Sequence, residues 1–167
     1  VMGATKRIAE KIIQAKSMDS KVKYMAVRFG NVIGSSGSVV PIFQEQIKNG
    51  GPVTITDPHI KRYFMSIPEA AQLILQAGAL GNDGEIYVLD MGDPVKIIDL
   101  ARQMIRLAGL RPDKDVAVKI IGPRPGEKLF EEVFHSGEPI VASGCVGILL
   151  AAPRPADTKA IEHGVAS

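Results

Sequence analysis

Val27-Arg28-Phe29-Gly30-Asn31-Val32-Ile33-Gly34-Ser35-Ser36-Gly37-Ser38-Val39-Val40-Pro41 reads as the end of an apolar strand, a flexible loop and the entry to a helix. Residues 23–29 are mostly apolar, with Tyr24, Met25, Val27 and Phe29, which suits a strand buried in a sheet. The Gly, Ser and Asn of 30–37 make a loop, and Pro41 opens a helix that Gly50-Gly51 closes. Upstream, Ile8, Ala9, Ile12 and Ile13 recur at helical spacing over 2–15. Downstream, 53–56 is a short β-branched strand and 63–65 is extended. Ser66-Ile67-Pro68-Glu69 has the spacing of a capping box, with its helix running to about Leu80 before Gly81. Residues 86–89 form a strand, and Asp93-Pro94 predicts a helix start. The apolar face of that helix is Ile97, Ala101, Met104, Ile105 and Ala108, and Gly109 stops it. Residues 116–121 give another strand and 127–134 another helix, after which the pattern weakens. Alternating strands and helices predict an α/β fold. About two of its strands are expected to join a parallel sheet, fewer than a complete doubly wound fold requires.

Bulk properties narrow the function. The 167 residues suit one compact domain or the trailing part of a larger one. Apolar residues are 46% of the chain, enough for a core. Lys and Arg number 20 against 18 Asp and Glu, a net of +2 scattered along the chain, so nothing predicts a nucleic-acid partner. One cysteine, Cys145, excludes an internal disulfide and a cysteine-rich metal site. It reads as a small apolar filler rather than a nucleophile. His59, His135 and His163 have no ligand spacing, and no metal is predicted. The longest apolar run, 146–152, falls far short of the ~20 residues that cross a bilayer. No signal-peptide pattern is present. The abrupt start at Val1-Met2-Gly3 reads as a truncation.

Three segments carry a resemblance: Met2-Gly3-Ala4-Thr5-Lys6-Arg7, the 27–41 run, and Arg62-Tyr63-Phe64-Met65-Ser66-Ile67-Pro68-Glu69-Ala70 followed by Arg124-Pro125-Gly126-Glu127-Lys128. In this order and spacing, over about residues 1–140, the chain resembles the extended short-chain dehydrogenase/reductases. More narrowly, it is similar to their polysaccharide-biosynthesis nucleotide-sugar 4,6-dehydratases, of UDP-N-acetylglucosamine type. The resemblance implies the C-terminal part of a Rossmann-like fold. Residues 1–140 would hold the end of the dinucleotide-binding sheet and the sugar-nucleotide subdomain, and 141–167 a partly disordered extension.

Met2 and Lys6 stand four residues apart, on one face of a helix. In the wider superfamily these positions hold a Tyr-x-x-x-Lys pair, in which the Lys bonds the nicotinamide ribose and lowers the Tyr pKa. Met cannot transfer a proton. The resemblance implies that an Asp-Lys pair upstream of this chain does that work. It assigns Lys6, Phe29, Gly30, Asn31 and Val32 to the cofactor, NAD or NADP. Asn31 would also donate to a phosphate or sugar oxygen of the substrate, with Ser38, Val39 and Val40 nearby. Thr54 and Thr56 would meet the uracil edge, Arg62 and Arg124 would clamp the diphosphate, and Glu127 would accept from the ribose hydroxyls. Lys61 departs from the small polar residue more usual there.

The implied reaction passes hydride from C4 of a UDP-hexosamine to NAD, removes the C5 proton, expels the C6 hydroxyl as water and returns hydride to C6. The product would be a 4-keto-6-deoxy sugar for bacterial surface polysaccharide or glycan. No Gly-rich dinucleotide fingerprint follows a strand here, so the chain alone is expected to be inactive. An open strand edge predicts a homo-oligomer. The location implied is cytoplasmic, or the cytoplasmic face of the inner membrane where the parent carries upstream membrane helices. Alternatives are a nucleotide-sugar epimerase of the same fold, disfavoured by Met2, and a non-catalytic UDP-sugar-binding module. A reductase of small carbonyl compounds is a third, disfavoured by the paired arginines.

Overall fold

The computed structural model describes residues 2–18, 20–35, 37–134 and 138–151, with Met2 as backbone only. His135, His163 and most of the expected extension, 152–167, lie outside the described residues. The chain divides into two compact units.

The first unit takes its described residues from 1–29, 71–90 and 133–167. Its helix α1 spans Met2–Ser17. Its sheet contains β1 (Ala26–Arg28), β6 (Ile86–Leu89), β9 (Ile140–Ala142) and β10 (Ile148–Ala151), in the order β1-β6-β10-β9. β1 and β6 are parallel, with Val27 opposite Tyr87. β10 runs antiparallel to β6, and β9 antiparallel to β10. All four residues of β6 are buried, as the uninterrupted apolar run Ile86-Tyr87-Val88-Leu89 requires of a strand covered on both faces. Ile86, Val88 and Ala151 form the centre of the core, packed by Ala26, Val133, Phe134 and Leu149.

β9 and β10 correct the expectation of an extension from residue 141. Ile148-Leu149-Leu150-Ala151 gains its order by pairing with β6, about 60 residues earlier in sequence. β9 is exposed throughout. It therefore carries no alternation of apolar and polar residues to announce it.

The second unit comprises 30–70 and 91–132. It contains β2 (Asn31–Val32), α2 (Val39–Lys48), β3 (Val53–Ile55), β4 (Lys61–Arg62), β5 (Phe64–Met65), β7 (Val95–Lys96), α4 (Ile97–Leu107) and β8 (Val118–Ile120). β2 pairs with β5 and β3 with β8, both parallel, while β4 and β7 are antiparallel. Phe43 and Ile47 of α2, Ile97, Ala101 and Ile105 of α4, and Val53, Ile55, Ile60 and Val116 form its core.

Both helices end as the glycines require. Gly50 and Gly109 take positive φ, of 83° and 77°. At each end the glycine N–H and the following N–H bond back to the last turn, Gly50 to Ile47 O and Gly51 to Gln46 O, Gly109 to Arg106 O and Leu110 to Ile105 O. α3, Ile67–Leu80, opens on the expected box: Glu69 N–H donates to Ser66 Oγ, and Ser66 N–H to the Glu69 carboxylate.

Two local expectations yield to tertiary pairing. Asp93-Pro94 does not start α4, because Val95 and Lys96 are taken by β4 as strand β7, and Ile97 N–H then bonds to Ile60 O. No helix forms over 127–134. There the Leu129 carbonyl accepts from Lys61 N–H and from the Arg62 guanidinium, so those backbone groups are satisfied across the unit instead of along a helix.

Candidate functional site

In the second unit, β3, β4 and the 121–132 segment bring Thr56, Arg62, Arg124 and Glu127 together. Glu127 is the hub. One carboxylate oxygen accepts from the Thr56 hydroxyl at 3.0 Å, the other from the Arg124 backbone N–H at 3.0 Å. The Glu127 N–H returns a bond to Arg124 O at 2.9 Å. Gly126, at φ +79°, makes that tight turn available without strain. The loop is thus fixed from within, and the Arg124 side chain extends from it exposed. Its guanidinium makes no hydrogen bond or ion pair among the described residues.

Arg62 differs from Arg124. Of the five N–H groups of a guanidinium, three donate to the carbonyls of Lys61 (2.8 Å), Leu129 (3.2 Å) and Lys128 (2.8 Å). Nη2, which donates to Lys128 O, also stands 3.8 Å from a Glu127 carboxylate oxygen. Arg62 therefore holds the 127–129 segment against β4, and has little left for a diphosphate in this conformation. Of the two expected clamp arginines, Arg124 is the one with its fork free.

At the carboxyl end of β1 the chain passes Gly30 into β2. A Cβ on Gly30 would stand 2.9 Å from Tyr63 Cβ and 3.2 Å from a Glu131 carboxylate oxygen. Tyr63 Cβ is fixed to its backbone and cannot swing aside. Gly30→Ala is therefore expected to cost about 1–3 kcal/mol as β2 and β5 are pushed apart, read as a lowered urea midpoint of the intact protein.

Asn31 next to it is engaged within the unit. Its amide nitrogen donates to Tyr63 O and to Glu131, both at 3.3 Å. Both amide hydrogens are used in these bonds, and Asn31 Oδ1 has no partner among the described residues. Val32 lies in β2 opposite Met65.

Ser38 is the N-cap of α2, with Val39 and Val40 forming its first turn. The Ser38 hydroxyl oxygen is buried and makes no hydrogen bond among the described residues. Thr54 is read by a side chain that sequence reasoning missed: Gln46 of α2 accepts the Thr54 N–H at 3.0 Å and donates to its hydroxyl at 2.7 Å. The Thr54 N–H is thus not available to a base.

In the first unit α1 carries Lys6, exposed and without a hydrogen bond or ion pair among the described residues. Phe29 is exposed just beyond β1. Arg28, at the end of β1, is held by Glu10 of α1 and by Glu138. That cluster had only one signal in the sequence, a charge ending an apolar strand.

Residues 1–151 match the family described as polysaccharide biosynthesis protein, and the chain belongs to that family. It is 59% identical over 139 residues to the capsular polysaccharide biosynthesis protein CapD of Staphylococcus aureus. The match takes in 83% of this chain and 23% of CapD, so the chain spans under a quarter of that relative's length. Among solved structures it resembles Pen from Bacillus thuringiensis, with a TM-score of 0.79 and 32% identity over 93% of this chain and 48% of that one. DesIV of Streptomyces venezuelae, a dTDP-glucose 4,6-dehydratase solved with NAD and TYD bound, shares the fold. Its TM-score is 0.69 at 17% identity, over 98% of this chain and 49% of that one. The fold is that of the Rossmann-like extended short-chain dehydrogenase/reductases. Among the described residues no helix is long and apolar enough to cross a membrane.

Proposed function

We infer that the intact protein is an NAD-dependent 4,6-dehydratase of a UDP-N-acetylhexosamine, and that this chain supplies its sugar-nucleotide pocket and one cofactor contact. The observation that carries the reading is the Glu127 hub. The loop held by Glu127 carries the exposed guanidinium of Arg124, which has no partner among the described residues and offers a diphosphate a cationic fork, while the Glu127 carboxylate suits a ribose hydroxyl.

The chain's own residues fit NAD at Lys6, an exposed ammonium suited to a ribose hydroxyl. The chemistry NAD supplies when bound is acceptance of hydride at C4 of the sugar and its return at C6. Met2, one turn before Lys6 on α1, has no proton to transfer. With Met2 in place of the usual tyrosine, the protons released from the C4 hydroxyl and from C5 pass to other groups, which favours dehydration over tyrosine-assisted epimerisation; without a Gly-rich dinucleotide fingerprint the chain alone is inactive.

Incubation of the intact protein with UDP-N-acetylglucosamine and NAD tests this. Mass spectrometry is expected to show a nucleotide sugar that has lost one water and carries a ketone. Conversion without loss of water would make the protein an epimerase, and binding without conversion a non-catalytic module. Arg124→Ala is expected to weaken UDP binding by roughly tenfold or more, the value of one charge-assisted contact, in calorimetric titration. An unchanged affinity would remove Arg124 from the diphosphate.

A further inference from the structure

The Asn31–Glu131 pair has a chemistry that the phosphate-binding residues do not share. The Asn31 amide faces two acceptors, the Tyr63 carbonyl and a Glu131 carboxylate oxygen. Rotating the amide by half a turn would set oxygen against both of them, so its orientation is fixed by chemistry. What remains unbonded among the described residues is Asn31 Oδ1 and the second oxygen of Glu131. Gly30 makes the arrangement possible, because any side chain there would displace the carboxylate. Glu131 has no ion pair among the described residues, unlike its neighbour Glu132, which pairs with Lys128 at 2.7 Å. The pair thus presents two acceptors and a negative charge, which repels a diphosphate and suits a group that brings hydrogens.

We propose that Asn31 and Glu131 form a sugar-reading pair, accepting hydrogen bonds from hydroxyl or amide N–H groups of the hexose rather than contacting the diphosphate. This rests on the UDP-sugar reading above and assigns Glu131, 100 residues from Asn31, to the same pocket. In Glu131→Gln the new amide oxygen keeps the bond to Asn31, while its NH2 replaces the free acceptor. In Glu131→Ala both are lost.

The test is calorimetric titration of the intact protein, wild type and both variants, with UDP and with UDP-N-acetylglucosamine. Wild type is expected to bind the sugar nucleotide more tightly than UDP. Each variant is expected to lose roughly tenfold in affinity for the sugar nucleotide and to keep its UDP affinity within about twofold, which also reports a folded pocket. If Gln alone abolishes UDP binding by misfolding, the Ala variant decides. A parallel fall for both ligands, or no change for either, overturns the proposal. A wild type that binds neither ligand is the separate failure of the UDP-sugar reading, and the proposal goes with it.

Discussion

Arg28→Ala is expected to destabilise the protein by about 3–5 kcal/mol, the usual cost of leaving buried partner charges uncompensated. Every N–H of this guanidinium is used. The fork formed by Nε and Nη2 meets Glu10 at 2.5 and 2.8 Å, Nη1 and Nη2 meet Glu138 at 2.6 and 3.3 Å, and Nη1 reaches Val133 O at 3.4 Å. The side chains are 11% (Arg28), 14% (Glu10) and 2% (Glu138) exposed, so water cannot take over when the arginine is removed. Arg28→Lys, a point charge with three donors, is expected to recover part of the loss.

The pH dependence distinguishes this account from simple loss of packing. Burial alone would raise the Glu10 pKa, but hydrogen bonds and charge from Arg28, with a smaller share from Arg7, bring it below its ordinary value. Folded Glu10 therefore binds its proton less tightly than unfolded Glu10. Its contribution is complete above the ordinary glutamate range of about 4.3 and is lost as pH falls through the lowered folded value. Without Arg28 the two carboxylates face each other, and protonation relieves them. The gap in urea midpoint between wild type and Arg28→Ala should narrow as pH falls from about 7 to about 4. A constant gap would mean that lost packing, not charge, dominates.

The features that were legible in the sequence are those that close within a few residues. Gly50, Gly109 and the Ser66–Glu69 box mark helix ends because their hydrogen bonds are local. The 86–89 strand was readable from its apolar run alone. What was not legible depends on partners distant in the chain. Asp93-Pro94 is a sound helix start by local chemistry, and it is overruled because Lys61–Arg62 recruits Val95–Lys96 into a strand pair. The candidate site divides in the same way. Residue type sufficed to nominate Arg62 and Arg124 equally, but only the carbonyls of Lys128 and Leu129 distinguish the occupied guanidinium from the free one. Asn31 was readable as a polar group at a strand end. Whether it donates or accepts is set by Tyr63 and Glu131, and nothing near it in sequence names either.

Lys6→Ala is the other change with a large expected effect, and it should leave stability untouched. Lys6 is exposed on α1 and has no partner among the described residues, whereas its neighbour Arg7 is tied to Glu10 at 3.2 Å. Removing the ammonium thus breaks no contact of the described fold, and the melting transition should move by no more than an exposed surface change does, within about 0.5 kcal/mol. Turnover is another matter. If Lys6 orients the cofactor ribose as proposed, its loss misplaces the hydride-accepting ring relative to the sugar, and misplacement of that kind costs about a hundredfold in rate. The expected result is a fall of that size in keto-sugar formation by the intact protein, with UDP affinity unchanged. Lys6→Arg keeps the charge but replaces a compact ammonium by a planar fork, so it should recover only part of the rate. A full rate in Lys6→Ala would separate α1 from the cofactor while leaving the Glu127 hub and its nucleotide reading intact. A loss of rate together with a loss of stability would instead place Lys6 in the fold, against the exposure seen for it.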